Sequence, residues 1–281
     1  MISRIVLIFC AAAVAASGCG AGVSGSGNRP TVVASFYPLA YAADRIGGSG
    51  VRVENLTPSG AEPHDLELTP RAVAEIQRAD VVLYLGRGFQ PAVSDAVESA
   101  SGHAVDLLAS LRQGSLHDPH VWLDPILYAQ IAKRIAQVLH RPQRATALTA
   151  QLRRLDVRYR RGLADCARRD IVTSHAAFGY LARRYGLRQV AITGVTPEAE
   201  PTAQGLARVV RLVRRTKATT IFFERLVSPR LAETVAREVG ARTAVLDPIE
   251  GLTPSEQARG DTYLTLMRRN LASLRKALSC R

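Results

Sequence analysis

The sequence predicts an α/β protein in which two similar lobes, each a parallel sheet covered by helices, are joined by a long helix. Short β-rich runs alternate with helical stretches along the chain, a pattern typical of parallel sheets covered by helices. Motifs of the first half return in the second half in the same order, at offsets of 138 to 140 residues. Between the halves lies one long stretch whose apolar residues have helical spacing.

Residues 1–19 have the layout of an export signal. Arg4 supplies a positive charge, residues 5–16 are almost wholly apolar, and small residues precede Cys19. This run is too short to span a bilayer comfortably, because a span needs about 20 apolar residues. The Ala-Ser-Gly-Cys end resembles the bacterial lipobox, which implies that Cys19 is acylated and anchors the protein to the extracytoplasmic face of the membrane. The alternative is a soluble secretory signal with an incidental cysteine. The Gly- and Ser-rich residues 20–30 are expected to form a flexible tether.

Charge and cysteine content limit the class of protein further. The net charge is +13, but the basic residues are dispersed and no aromatic stripe interleaves them, so they indicate a solvated face and no nucleic-acid partner. Of four cysteines, Cys10 lies in the signal and Cys19 in the lipobox. Cys166 and Cys280 remain as an even pair. Outside the cytoplasm such a pair favours a disulfide, the alternative being two unpaired buried thiols.

The first lobe is predicted over residues 31–141 and the second over residues 170–281. Runs rich in β-branched and aromatic residues are expected to form strands at 31–35, 51–54, 81–85, 170–173, 189–192 and 220–223. Residues 70–78 are predicted to form a helix, with proline at its favourable first position. The repeated motifs pair residues 33–35 with 172–174, 61–63 with 199–201, 81–84 with 220–223, and 104–105 with 244–245. Four matches at almost one offset are hard to attribute to chance, so we expect both lobes to share one plan.

Residues 142–169 are predicted to form the helix that connects the lobes, since no proline follows Pro142 within them. Apolar residues recur there every three or four positions and mark one face: Leu148, Leu152, Leu155, Tyr159, Leu163 and Cys166. At 1.5 Å per residue such a helix would span about 40 Å. We expect it to act as a stiff strut between the lobes.

Candidate metal ligands lie where strands give way to helices. His64 lies in a turn-rich loop, His120 in a loop that also contains His117, and His175 directly after a predicted strand. Asp247 follows an apolar run in the same way. Because α/β sheets place ligand sites at the carboxyl ends of their strands, these side chains are expected to converge. Three imidazoles and one carboxylate suit tetrahedral Zn²⁺. The other two histidines lack this context and are expected at the surface: His103 and His140.

Four segments carry a resemblance to a known family. They are Pro-Ser-Gly-Ala-Glu-Pro-His-Asp at 58–65, Asp-Pro-His-Val-Trp-Leu-Asp-Pro at 118–125, Thr-Ser-His-Ala-Ala-Phe-Gly-Tyr at 173–180 and Leu-Asp-Pro at 246–248. In this order they resemble the zinc- and manganese-binding solute-binding lipoproteins of bacterial ABC importers, over nearly the whole chain after the tether. The resemblance implies two pseudo-symmetric lobes, a long connecting helix and a metal ion buried in the cleft between the lobes.

By the same resemblance, the metal ligands are His64, His120, His175 and Asp247, with His120 favoured over His117. Manganese-binding relatives tend to carry a glutamate at the third ligand position. Because this sequence has His175 there, we expect zinc as the cargo in preference to manganese. The implied partners are an ABC importer permease with its cytoplasmic ATPase, and the membrane through the lipid anchor. The protein is expected to be a monomer.

Other functions stay open at the level of sequence. A zinc-dependent hydrolase keeps one coordination position for water, whereas four protein ligands fill the shell, so an enzyme is not expected. Glu224, the nearest candidate for a general base, is interpreted as a support for the metal site or the fold. A manganese-binding homologue of the same class, and a second role as a surface adhesin on the same scaffold, are the further alternatives.

Overall fold

The computed structural model describes residues 29–111, 118–197 and 202–281, so Cys19, the export signal and His117 lie outside the described residues. Two four-stranded parallel sheets organise the described chain. Their strands are β1 Thr31–Ala34, β2 Arg52–Asn55, β3 Val81–Tyr84, β4 His103–Asp106, β5 Asp170–Thr173, β6 Arg188–Ala191, β7 Thr220–Phe223 and β8 Arg242–Val245. The strand orders are β2-β1-β3-β4 and β6-β5-β7-β8, the same order in each lobe. The predicted fold class is therefore confirmed.

The repeat in the sequence corresponds to a repeat in the fold. The first residues of β1 and β5, of β3 and β7, and of β4 and β8 are each 139 positions apart. The repeated motif at residues 199–201 lies outside the described residues. Equal spacing and equal strand order mean that corresponding strands of the two lobes occupy corresponding positions in their sheets.

Each central strand is buried on both faces, as expected for a parallel sheet covered by helices. In β1, Val32 and Ala34 face a large core shared by the two lobes, whereas Val33 faces a smaller outer core. In β7, Phe222 faces the shared core and Ile221 the outer core of the second lobe. Alternation along the strands thus joins the two lobes through one continuous apolar interior.

Ten helices in the described residues cover the sheets. They are α1 Tyr37–Gly47, α2 Pro70–Arg78, α3 Pro91–Ala96, α4 Pro125–Val138, α5 Ala145–Gly162, α6 Gly179–Arg184, α7 Ala203–Thr216, α8 Arg230–Val239, α9 Pro254–Ala258 and α10 Tyr263–Leu278. Thr69 caps α2 by accepting the Ala72 N–H, and Asp124 caps α4 by accepting two N–H groups. Along the described parts of the chain, every helix is too short or too polar to cross a bilayer.

The connecting helix is shorter than the sequence predicts. A 3₁₀ turn over Pro142–Arg144 leads into α5, which ends at Gly162 and not at residue 169. The Arg169 guanidinium donates to the carbonyls of Leu163 and Ala164, which satisfies backbone groups at the end of the helix and holds the chain after it. The predicted apolar face is present in α5 and packs against α4 and α10. Its 18 residues span about 27 Å, which is about two thirds of the expected length.

The predicted disulfide is present and ties the chain after α5 to the end of α10. Cys166 and Cys280 are bonded across a separation of 114 residues. The backbone N–H of Arg168 donates to the carbonyl of Leu278, and the Tyr159 hydroxyl donates to the carbonyl of Met267 at 2.7 Å. Together these contacts fix α10 against the connecting helix.

Candidate metal centre

Three of the four predicted ligands converge at the carboxyl edges of the two sheets. His64 lies in the loop between β2 and α2, and His120 precedes a 3₁₀ turn at Val121–Leu123 that leads into α4. His175 follows β5 by two residues. A fourth group, Glu250, comes from the loop between β8 and α9. Each of the four groups therefore lies in a loop that begins at the carboxyl end of a strand.

The four side chains form one compact cluster of donor atoms. Glu250 Oε1 lies 3.4 Å from His64 Nε2, 2.9 Å from His120 Nε2 and 3.6 Å from His175 Nε2. His120 Nε2 and His175 Nε2 are 3.3 Å apart, and all four donor atoms lie within 4.8 Å of one another. A tetrahedral zinc ion with bonds of about 2.0–2.1 Å separates its ligand atoms by about 3.3 Å. The observed separations scatter around that value, so the cluster fits such an ion.

Two of the three imidazoles are oriented by carboxylates on their other nitrogen. His120 Nδ1 lies 2.7 Å from Asp118 Oδ1, and His175 Nδ1 lies 2.7 Å from Glu224 Oε1. Ser174 donates its hydroxyl to the same Glu224 oxygen at 2.5 Å. A carboxylate on Nδ1 leaves Nε2 to face the cluster and raises the basicity of the ring. Glu224 thus orients a candidate metal ligand.

Burial and the carboxylates shift the ionisation of the metal-free cluster. Burial alone would lower the pKa of His175, but hydrogen bonds to Glu224 and Glu250 outweigh it and raise that pKa to about 10. The pKa of His120 is also raised, because its bonds to Asp118 and Glu250 outweigh burial. Burial would raise the pKa of Glu250, yet bonds from the three histidines hold it well below its usual range. In the metal-free cluster an acidic carboxylate oxygen is therefore surrounded by basic imidazole nitrogens. A divalent cation can bind there by replacing the protons on those nitrogens.

Glu62 is a further carboxyl beside the cluster. Its Oε1 accepts the backbone N–H of His64 at 3.1 Å, which fixes the loop that presents this histidine. Burial and the neighbouring charge of Glu250 raise the pKa of Glu62 to about 9. Burial and the charge of Glu250 thus favour the neutral form of Glu62 in the metal-free cluster.

The structure brings Glu250, and not the predicted fourth ligand Asp247, into the cluster of donor atoms. Asp247 Oδ1 accepts the backbone N–H of Ile249 at 2.7 Å, and its Oδ2 lies 3.9 Å from the Arg225 guanidinium. The carboxylate therefore closes a turn and lies outside the clustered donor atoms. Glu250 lies three residues further along the same strand-to-helix loop. In the sequence, the only indication that Glu250 belongs to the site is that it is an acidic residue in that loop.

The remaining histidines lie away from the cluster where they are described. His103 is an exposed residue of β4, and His140 is exposed after α4, as expected. His120 is in the cluster, whereas His117 lies outside the described residues, so the preference for His120 over His117 stays a prediction. These positions leave His64, His120, His175 and Glu250 as the candidate metal centre.

Comparison with known proteins agrees with this geometry. The family model described as the periplasmic zinc-uptake complex component A, ZnuA, matches residues 32–277. The chain belongs to this family. The high-affinity zinc uptake system protein ZnuA of Bacillus subtilis is 36% identical in an alignment of 282 residues. The alignment covers 90% of this chain and 88% of that protein. The family is one of transport receptors that bind metal, and membership implies an ABC transporter as partner and a position outside the cytoplasm.

Two streptococcal proteins are also similar to the chain. The zinc-binding lipoprotein AdcA of Streptococcus pneumoniae is 33% identical over 87% of this chain, and the chain spans 55% of its length. The Zn(II)-bound ZnuA-like domain of AdcA superposes with a TM-score of 0.76 at 34% identity, over 89% of this chain and 99% of that one. The laminin-binding protein Lmb of Streptococcus agalactiae, described as bifunctional in adhesion and metal transport, gives 0.81 at 30% identity, over 89% and 99%.

Proposed function

We propose that the protein captures one Zn²⁺ ion outside the cytoplasm and delivers it to an ABC importer in the membrane. The observation that carries the proposal is the buried cluster of His64, His120, His175 and Glu250, whose donor atoms lie within 4.8 Å of one another. Zinc is the cargo, and these four residues are proposed as its ligands. The family and the zinc-binding relatives support the same assignment.

The donor set favours zinc over manganese. Three imidazole nitrogens and one carboxylate oxygen suit zinc in tetrahedral geometry, whereas manganese prefers more oxygen donors and a higher coordination number. His175 supplies nitrogen at the position where manganese-binding relatives tend to carry glutamate. A Glu224 carboxylate on Nδ1 of His175 strengthens that nitrogen as a ligand.

The ligands come from both lobes, which supports a capture mechanism. His64 and His120 belong to the first lobe, and His175 and Glu250 to the second. Each pair by itself offers an incomplete shell, so the ion is held tightly only when the lobes are together. Docking on the permease would then release the ion by separating the two pairs.

A receptor fits the cluster better than a zinc hydrolase. Four protein donors occupy the four positions of a tetrahedral ion, which leaves none for the water that a catalytic zinc activates. Glu224 is engaged by His175 and Ser174 and is therefore not free to act as a general base. We propose further that the protein is a monomer held at the membrane by a lipid on Cys19. The support is the lipobox-like sequence and the lipoprotein name of AdcA.

The proposal is tested by metal content and by single alanine variants at the four ligands. Protein purified without added metal should carry one zinc ion by native mass spectrometry and elemental analysis. Alanine at any ligand should weaken zinc binding in competition titrations by more than the roughly 10- to 100-fold that loss of a supporting carboxylate costs. His103→Ala and His140→Ala are matched controls, because both histidines are exposed and lie outside the cluster.

The pattern of losses decides the outcome. Losses confined to His64→Ala and His120→Ala, with His175→Ala and Glu250→Ala like wild type, would place the site in one lobe and contradict capture between lobes. If the two control variants lose as much zinc affinity as the ligand variants, the assay responds to the number of histidines and not to the cluster.

A further inference from the structure

The segment that carries Glu250 belongs to the second lobe by sequence but is held by the first lobe on both sides. Ahead of Glu250, the Trp122 indole N–H donates to the carbonyl of Pro248 at 2.7 Å. Beyond it, the Ser59 hydroxyl and the Gly60 N–H both donate to the carbonyl of Leu252, at 2.8 and 2.9 Å. Three first-lobe donors therefore bracket the one carboxylate of the metal cluster.

Within the second lobe, the same segment starts from a fixed point. The side-chain amide of Asn270, a buried residue of α10, brackets the backbone of Asp247. Asp247 N–H donates to Asn270 Oδ1 at 2.9 Å, and Asn270 Nδ2 donates to the Asp247 carbonyl at 2.6 Å. Any movement of Glu250 relative to its own lobe must therefore arise after Asp247.

The turn between Asp247 and Glu250 is strained. Ile249 has φ of 59°, a left-handed backbone conformation that a β-branched residue rarely adopts, and its side chain is buried. Such a conformation persists only where surrounding contacts enforce it. Here the contacts are the Asp247 carboxylate, which accepts the Ile249 N–H, and the Trp122 indole on Pro248. One of the two restraints comes from the opposite lobe.

The indole itself is rigidly placed in the first lobe. Its ring lies edge-on to Phe36 at 4.8 Å and to Phe89 at 5.6 Å between centroids. The Trp122 carbonyl, in contrast, accepts the hydroxyl of Tyr263, a residue of α10 in the second lobe, at 2.5 Å. The packing of its ring thus ties the indole to the first lobe, and the bond from its N–H to Pro248 connects that lobe to the turn that presents Glu250.

We propose that Trp122 is a positioning residue that holds Glu250 in the metal shell only while the lobes are together. Separation of the lobes removes the bond to Pro248, the Ile249 turn relaxes, and the carboxylate withdraws from the three histidines. The ion loses its one anionic ligand at the step at which it is to be released. This inference rests on the proposed function, because it assigns a release step to the same site.

The test is a double-mutant cycle between Trp122→Phe and Glu250→Ala. Zinc dissociation constants are measured by competition with a chelator, and dissociation rates by stopped flow, on the mature chain at one fixed pH. Trp122→Phe should raise the dissociation constant about tenfold, chiefly through faster dissociation, which the loss of one buried hydrogen bond supports. In the Glu250→Ala background the same change should alter the constant by less than about twofold, since the group it positions is gone.

Two further variants separate positioning from general damage. Tyr128→Phe also removes one buried hydrogen bond, from its hydroxyl to the Pro38 carbonyl, and should lower thermal stability while leaving zinc affinity unchanged. Ser59→Ala removes a bond at the outer side of the Glu250 segment. It should give a smaller loss of affinity that also disappears in the Glu250→Ala background, and it serves if Trp122→Phe does not fold.

Each outcome has a separate meaning. A Glu250→Ala variant that binds zinc like wild type would overturn the proposed ligand set itself. A Glu250→Ala variant with weakened binding, combined with a Trp122→Phe loss that is equal in both backgrounds, would overturn the positioning role alone. That result would mean that Trp122 acts through His120, whose ring centroid lies 5.1 Å away, or through overall packing. Unchanged binding in Trp122→Phe would overturn it as well.

Discussion

Zinc binding at pH 8 is expected to release protons from the site, and Glu224→Gln is expected to reduce their number. His175 lies between two carboxylates, with Nδ1 2.7 Å from Glu224 and Nε2 3.6 Å from Glu250. These contacts outweigh burial and raise the pKa of His175 to about 10. The metal-free protein therefore holds a proton on this imidazole at pH 8. Zinc needs the neutral Nε2, so binding must displace that proton.

The magnitude follows from the pKa of His175. While one proton is displaced per ion bound, the zinc dissociation constant falls about tenfold for each rise of one pH unit. Between pH 7 and 9 this amounts to about 100-fold, or about 2.7 kcal/mol. An imidazole with an ordinary pKa near 6.5 would leave the affinity almost constant over that range. The raised pKa of His120 acts in the same direction.

The same shift has the opposite effect on the metal-free fold. The folded pKa of His175 lies above its unfolded value, so the stability that it contributes is fully present below about pH 6.5. That contribution is lost as the pH rises through about 10. Raising the pH should thus weaken the metal-free protein and tighten the zinc complex.

Calorimetry in buffers of different ionisation enthalpy counts the released protons, and competition titrations from pH 7 to 9 give the slope. Glu224→Gln keeps the size of the side chain but removes its charge. It should lower the proton release at pH 8 by up to one, flatten the slope, and weaken zinc binding about 10- to 100-fold at pH 9. Glu238→Gln is the control, because Glu238 is an exposed residue of α8. Proton release near zero in the wild type, or an equal slope in Glu224→Gln, would refute this account of the site.

Three further predictions concern the anchor, the metal and the disulfide. Cys19→Ala should move the protein from the membrane fraction to the soluble or secreted fraction, and unchanged detergent partitioning would contradict lipidation. His175→Glu should shift the ratio of the zinc and manganese dissociation constants towards manganese in competition titrations, because a carboxylate favours the harder cation; an unaltered ratio would count against it. Replacing Cys166 and Cys280 by serine opens a loop of 114 residues and should destabilise the fold by at most about 4–5 kcal/mol in chemical denaturation. Labelling of both thiols in the unreduced, unfolded wild type would show that no disulfide forms.

The sequence by itself determines the architecture and most of the metal centre. Parallel strands with two buried faces need near-continuous apolar runs, and such runs can be recognised in the sequence of both halves of the repeat. The helix α2 begins at Pro70 and ends at Arg78, as its pattern predicts. Because every parallel strand points its carboxyl end to the same edge, the position of His64, His120 and His175 after strands was enough to bring them together.

Only the tertiary structure decided which carboxylate joins the histidines. Asp247 and Glu250 lie in the same loop, and the position along the sequence alone favours Asp247, because it is nearer to the end of the strand. The choice depends on the left-handed turn at Ile249, which the bond from Trp122 to Pro248, across 126 positions, helps to hold. The end of α5 at Gly162 has a similar origin, because the chain after it is fixed by Arg169 and by the disulfide to Cys280. Local patterns specify where strands and helices form, whereas the direction of a side chain in a loop is set by contacts from distant residues.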